Sequence, residues 1–167
     1  KDMAVLMSLN NNGQAITLSN QLKDKGAVDG PSLAKLVAKK EREYTFAQTF
    51  PTGTHAMWLY YWLAAQGIDP FKDVKNIVVP PPQMVANMRI GNMDGFCVGE
   101  PWNSAAVARG LGAVVTTQSQ LFPHAVEKVL AVRGAFAADA ARLEPLLRAL
   151  AAAAAWADDS ANHAELA

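Results

Sequence analysis

The chain has 167 residues, 15 basic against 15 acidic side chains, and a hydrophobic share of 51%. That is enough for one domain with a sizeable core, it argues against disorder, and the cancelled charge excludes a global field that would draw in nucleic acid or an anionic membrane. One cysteine cannot close an internal disulfide, and three scattered histidines give no zinc spacing. The longest apolar stretch, residues 146–157, is alanine-rich, broken by Arg148, and shorter than the roughly 20 residues of a spanning helix.

From the amino end, "AVLMSLNNNGQAITLS" reads as a strand-like run that ends in a polar corner at Asn12, Gly13 and Gln14. "KDKGAVDGPSLAKLVAKKERE" reads as a solvated, charged turn and helix. From Tyr44 onward the punctuation repeats about every 25 residues. "YTFAQTF" is β-branched and aromatic, a strand stopped by Pro51. "THAMWLYYWLAAQG" is a helix capped by Thr52 or Thr54 and closed by Gly67. "KNIVVPPP" and "PQMVANMRIG" repeat the unit, the helix starting at Pro82 and ending at Gly91. "MDGFCVG" is too uniformly apolar for a strand with one wet face, and "PWNSAAVARG" is a helix opened by Pro101 and closed by Gly110. "GAVVTT" is the next strand and "EKVLAV" another. "ADAARLEPLLRALAAAAAWADD" is a long helix with Leu143, Leu146, Leu147 and Leu150 on one face.

Strands alternating with helices predict an α/β fold around a parallel sheet covered on both faces. In such sheets ligands sit beyond the carboxyl ends of strands, where helix amino termini offer unpaired N–H groups and partial positive charge. Three corners of this kind occur, "FPTGTH", "PPPQ" and "VGEPWN". Together they suit a small anion or polar group. The flanks differ in composition and can belong to a second lobe, with residues 44–117 as the central α/β lobe and 1–43 and 118–167 outside it. Since the chain opens on Lys1 and "ANHAELA" lacks a stop signal, a longer protein is expected at both ends.

Single residues are weaker signals. Cys97 lies inside an apolar strand with no neighbouring histidine, so it reads as packing, and "CVGEP" lacks the nucleophile-elbow pattern. His55 at a helix start is either a ligand donor or a packed helix residue. Trp58 and Trp62, four apart, read as core. Gln14 either ends a strand or meets a ligand, Glu100 either caps its own helix or flanks a site, and Lys128 is either an exposed strand charge or a cation for an anion. No P-loop, dinucleotide fingerprint, zinc-protease motif or carboxylate pair is present. Binding without chemistry, and no enzyme, is the default.

Taken in order, "LNNNGQAI", "FPTGTHAMWLYYWLAAQGIDP", "VVPPPQMVANMRIG", "DGFCVGEPWN" and "EKVLAV" resemble the nitrate-binding and bicarbonate-binding solute receptors of bacterial ABC importers, and the related cytoplasmic nitrate sensors. The resemblance covers almost the whole chain from about Leu9, in unbroken order. It implies a type II periplasmic-binding-protein fold that closes on one small oxyanion, nitrate or nitrite. Gln14, His55 and Lys128 would be polar contacts, Pro81, Val98 and Gly99 would line the pocket, and Glu100 would flank it. No metal or cofactor is implied for nitrate. The bicarbonate relatives use calcium and have no lysine at the position of Lys128, and a cation at about 4 Å from an anion gains about 4 kcal/mol at an effective dielectric near 20 before desolvation. "HAVEKVL" departs from the relatives' His-Pro before the glutamate-lysine pair. The implied partners are an oxyanion and the permease subunits, without nucleic acid, and with membrane contact only through the permease or a lipid anchor outside this chain. The implied location is the periplasm, the alternative being a cytoplasmic sensor that acts on a partner protein. An enzyme of the same broad fold is a third reading, for which only Cys97 and His55 could serve.

Overall fold

The computed structural model describes residues 2–166. The chain divides into two compact units, one running from Asn12 to Ala125 and the other made of the residues up to Asn11 and from Val126 onward. The division follows from the first polar corner. The run "AVLMSLNNNGQAITLS" is two strands, β1 (Met3–Asn11) and β2 (Gln14–Ser19), because Asn12 (φ 61) and Gly13 (φ 103) take left-handed backbone between them. Asn and Gly adopt that conformation at least cost.

In the larger unit β2 is followed by α1 (Asn20–Asp24), α2 (Gly30–Ala38), β3 (Thr45–Gln48), α3 (Thr54–Ala65), β4 (Lys75–Val78), α4 (Met84–Arg89), β5 (Gly95–Gly99), α5 (Trp102–Ala108), β6 (Gly112–Thr117) and α6 (Gln118–Leu121). Five strands form one sheet in the order β4-β3-β5-β2-β6. β3 is parallel to β4 and β5, as the strand-helix alternation predicts. β2 is antiparallel to both β5 and β6, so the sheet is mixed rather than wholly parallel. Helical crossovers enforce parallel pairing only between the strands they join. β2 enters after the Asn12–Gly13 turn, without such a crossover.

Both sheet faces are covered, which is why β2 has all 6 residues buried. Successive residues of β5 feed opposite cores: Phe96 and Val98 join Met84, Val85 and Met88, while Cys97 joins Leu59, Trp62, Leu33 and Tyr44. Trp58 packs at the margin of the second group. α2 is not merely solvated. Asp29 and Ser32 form a capping box at its start, and Leu33, Leu36 and Val37 are buried against β3 and α3 residues. Helix starts also shift: Gly53, not Thr52 or Thr54, is the cap of α3, and Pro81–Gln83 forms a short 3₁₀ turn ahead of α4.

The expected boundaries therefore move. Residues 12–43 belong with the central sheet, because β2 is an inner strand and α2 shares its core, and the unit continues to Ala125. In the other unit β1 pairs antiparallel with β7 (Val126–Arg133), and α7 (Gly134–Ala137), α8 (Ala140–Asp158) and α9 (His163–Leu166) follow. Leu143, Leu146, Leu147 and Leu150 of α8 are half-buried, the face that their spacing predicts. Among the described residues no helix is long and apolar enough to cross a membrane.

Candidate functional site

The register of β2 against β5 sets Gln14 opposite Gly99, at the ends of both strands and on one face of the sheet. α3 begins on the same face. Gln14 is 3% exposed, and its Nε2 donates to Thr54 Oγ1 at 3.0 Å. Gly53 occupies the cap position and has no side chain, so the start of α3 has no side-chain cap hydrogen bond. A 12-residue helix with an uncapped amino end presents N–H groups and partial positive charge to whatever lies before it.

His55 is half-buried one residue into that helix. Its Nδ1 lies 2.8 Å from Thr49 Oγ1, at the end of β3, across a turn closed by Gly53 N–H donating to Phe50 O at 3.1 Å. If the threonine hydroxyl donates, the ring proton resides on Nε2 and that nitrogen becomes a donor. A Cβ at Gly99 would stand 3.7 Å from His55 Nε2 and 3.6 Å from Gly13 O, so glycine keeps the space beside the imidazole open. Gln14, His55 and Gly99 thus meet at one corner built by β2, the β3–α3 turn and β5.

The remaining sequence-predicted residues are placed differently. Val98 is 1% exposed, and its side chain points into the core on the opposite face, so only its backbone belongs near the corner. Its carbonyl accepts from Asn103 Nδ2 at 2.8 Å. Glu100 caps α5, its Oε2 accepting from Ser104 N–H at 3.1 Å, while its own N–H donates to Gly13 O at 2.8 Å. Pro81 is half-buried in the turn after β4, the outermost strand beside β3. Lys128 belongs to the other unit. It lies on β7 with its side chain 60% exposed and its ammonium paired with Glu127, and its N–H donates to Asn10 Oδ1 at 3.1 Å.

Three residues that hold the corner have pairings that the sequence does not show. Thr49 and Thr54 pair with His55 and Gln14 only after the turn folds back. Asn103, fully buried, accepts from Thr17 Oγ1 and donates to Val98 O, both at 2.8 Å, which ties α5 to β2 and β5. Cys97 is 1% exposed within β5, directly behind Gly99 on the same face. Among the described residues no group of three or more His, Cys, Asp or Glu is placed to hold a metal ion.

The whole chain, residues 1–167, matches the model of the NMT1-like family. It belongs to that family. Similar to this NMT1-like chain are the nitrate/nitrite binding protein NrtA of Synechococcus elongatus, 44% identical over 98% of this chain and 38% of the relative, and the bicarbonate-binding protein CmpA of the same species, 34% identical over 99% and 38%. The crystal structure of the periplasmic nitrate-binding protein NrtA from Synechocystis superposes with a TM-score of 0.83 at 42% identity, covering 96% of this chain and 42% of that one. The fold is therefore that of the periplasmic binding proteins. The chain spans well under half the length of these relatives.

Proposed function

We propose that this chain is part of a solute-binding protein that captures nitrate, or nitrite, and delivers it to an ABC importer in the periplasm. The observation that carries the reading is the convergence of Gln14, His55 and Gly99 before the uncapped amino end of α3. Nitrate is planar, singly charged and weakly hydrated, so a few aimed N–H donors can hold it without a metal. In this reading Thr49 donates to His55 Nδ1, His55 Nε2–H and the Gln14 amide face the oxyanion, and the absent side chain at Gly99 lets it approach the backbone of β5. Glu100 is occupied with its own helix and acts at the margin, and Pro81 lines the approach. The role of Lys128 as the neutralising cation rests on the resemblance of "EKVLAV" alone. No bond is made or broken, so the reading is binding and not catalysis.

The identity to a nitrate/nitrite binding protein supports this choice, and the weaker identity to a bicarbonate-binding protein defines the competing one. Calorimetric titration of the complete protein with nitrate, nitrite, and bicarbonate with and without calcium separates them. Heat from nitrate or nitrite alone is expected, and heat only from bicarbonate with calcium overturns the assignment. Lys128→Glu is expected to abolish nitrate heat while leaving the thermal midpoint unchanged. Retained binding in that variant removes Lys128 from the site.

A further inference from the structure

The β6–α6 corner contains a polar group that the reading above leaves unused. Gln118, the first residue of α6, is 3% exposed, and its Oε1 has no hydrogen-bond partner among the described residues. Buried carbonyl oxygens without a donor are rare, because the hydrogen bond given up to water is not replaced. Beside this one lies a cavity of about 10 Å³, lined by Gln118, Gln14, Thr116, Trp58 and Cys97 among others. That is the room of a single water, which settles in a buried space only with two or more polar partners. Gln118, Gln14 and Thr116 are among the side chains that line it, although most of its wall is apolar, Trp58 and Cys97 included.

The register explains why these residues meet. Ala15 pairs with Thr117 in the β2–β6 ladder, so Gln14 and Gln118 continue it by one step in each strand direction. Gln14 is already held through Thr54 at 3.0 Å. A second hold, from the β6 side, would fix its rotamer before any ligand arrives, and a fixed donor binds with less ordering cost than a mobile one.

We infer that this cavity seats one ordered water, which donates to Gln118 Oε1 and bridges it to Gln14, and that Gln118 is thereby a positioning residue for Gln14. The consequence for affinity rests on the assignment of Gln14 as an oxyanion contact, whereas the water and the rotamer do not. The test is a pair of crystal structures of the complete protein, wild type and Gln118→Met, resolved well enough to show waters, with nitrate titrated into both in solution. Methionine matches glutamine in length and is flexible enough to fill the space, but it offers only a weak acceptor. In the wild type a water is expected within hydrogen-bond distance of Gln118 Oε1. In Gln118→Met the water is lost, the Gln14–Thr54 hydrogen bond opens, and nitrate affinity falls by roughly three- to tenfold with the thermal midpoint unchanged or raised. Gln118→Glu keeps an acceptor and is expected to keep the water, which serves if the methionine variant does not fold. A dry cavity in the wild type, Gln118 Oε1 accepting directly from a protein donor, or an undisturbed Gln14–Thr54 bond in Gln118→Met overturns the inference. If the wild type binds no oxyanion, the nitrate assignment fails and the crystallographic outcomes still decide the water.

Discussion

The unit from Asn12 to Ala125 holds every buried residue of the described chain, and the β1–β7 ribbon with α7, α8 and α9 holds none. Both contain strands of comparable apolar content, so hydrophobicity alone does not separate them. What separates them is closure. A five-stranded sheet with helices on both faces buries alternate residues in two directions, whereas a two-stranded ribbon is marginal in water unless something covers it. α8 draws instead on its alanine-rich sequence, because alanine and leucine are the best intrinsic helix formers. The candidate corner of Gln14, His55 and Gly99 lies in this closed unit.

The largest test of that contrast is a pair of truncations. Phe96→Ala empties the centre of a closed core, where Phe96 is fully buried among Met84, Val85 and Val98, and is expected to cost about 3–5 kcal/mol. Leu147→Ala on half-buried α8 is expected to cost clearly less in this chain, since Leu147 keeps part of its surface in water and belongs to neither buried cluster. Urea-unfolding midpoints at constant slope measure both. Equal losses would mean that α8 belongs to the same cooperative core.

At the corner the expected losses are in binding rather than in stability. On the proposed reading His55→Ala removes one hydrogen bond to the oxyanion and is expected to weaken nitrate binding by about ten- to a hundredfold, with little change in unfolding. Thr49→Val keeps the imidazole but frees its tautomer, since Nδ1 loses the hydroxyl at 2.8 Å, and a loss of about three- to tenfold is expected. Calorimetry on the complete protein reads both. A Thr49→Val loss as large as that of His55→Ala would show that the ring has moved, not merely changed its proton.

Much of this arrangement is legible in the sequence, and the rest is hidden for identifiable reasons. The strand-helix units after Tyr44, the leucine face of α8 and the packing role of Cys97 follow from periodicity and punctuation. The antiparallel β2 does not, because direction within a sheet depends on how the chain enters it, and "QAITLS" looks alike either way. The start of α3 is hidden for a related reason: Thr54 is a good cap by type, but the turn sets Gly53 at the cap position and leaves the Thr54 hydroxyl to accept from Gln14, 40 residues away. Thr49 and Asn103 are invisible for the same cause. Thr49 meets His55 only once the turn between them folds back, and Asn103 takes one of its partners, Thr17, from a distant strand. His55, Gln14 and Gly99 stand out only as residues at strand ends, and their meeting is a property of the register.

The smallest expected effect separates the two units through their ion pairs. On α8, Arg148 meets Glu144 at 2.6 Å with the side chains 77% and 72% exposed. Such an i,i+4 pair contributes about 0.3–0.5 kcal/mol at low salt, so Arg148→Ala is expected to shift stability by no more than that, and less in 1 M salt where screening is strong. In the central unit Arg42 forks onto Asp94, which is 8% exposed, while its guanidinium lies 4.2 Å from the Tyr44 ring centroid. Asp94 also accepts from Thr45 N–H at 2.8 Å, so it ties the starts of β3 and β5 together through groups shielded from solvent. Asp94→Ala is expected to cost roughly 1–3 kcal/mol and to respond little to salt, because it strands a backbone donor as well as an arginine. Unfolding of the two variants at 0.05 M and 1 M sodium chloride measures the difference. A salt-sensitive Asp94→Ala loss would mean that the pair is wet in solution, and that the carboxyl end of the sheet is the better-held end of the unit.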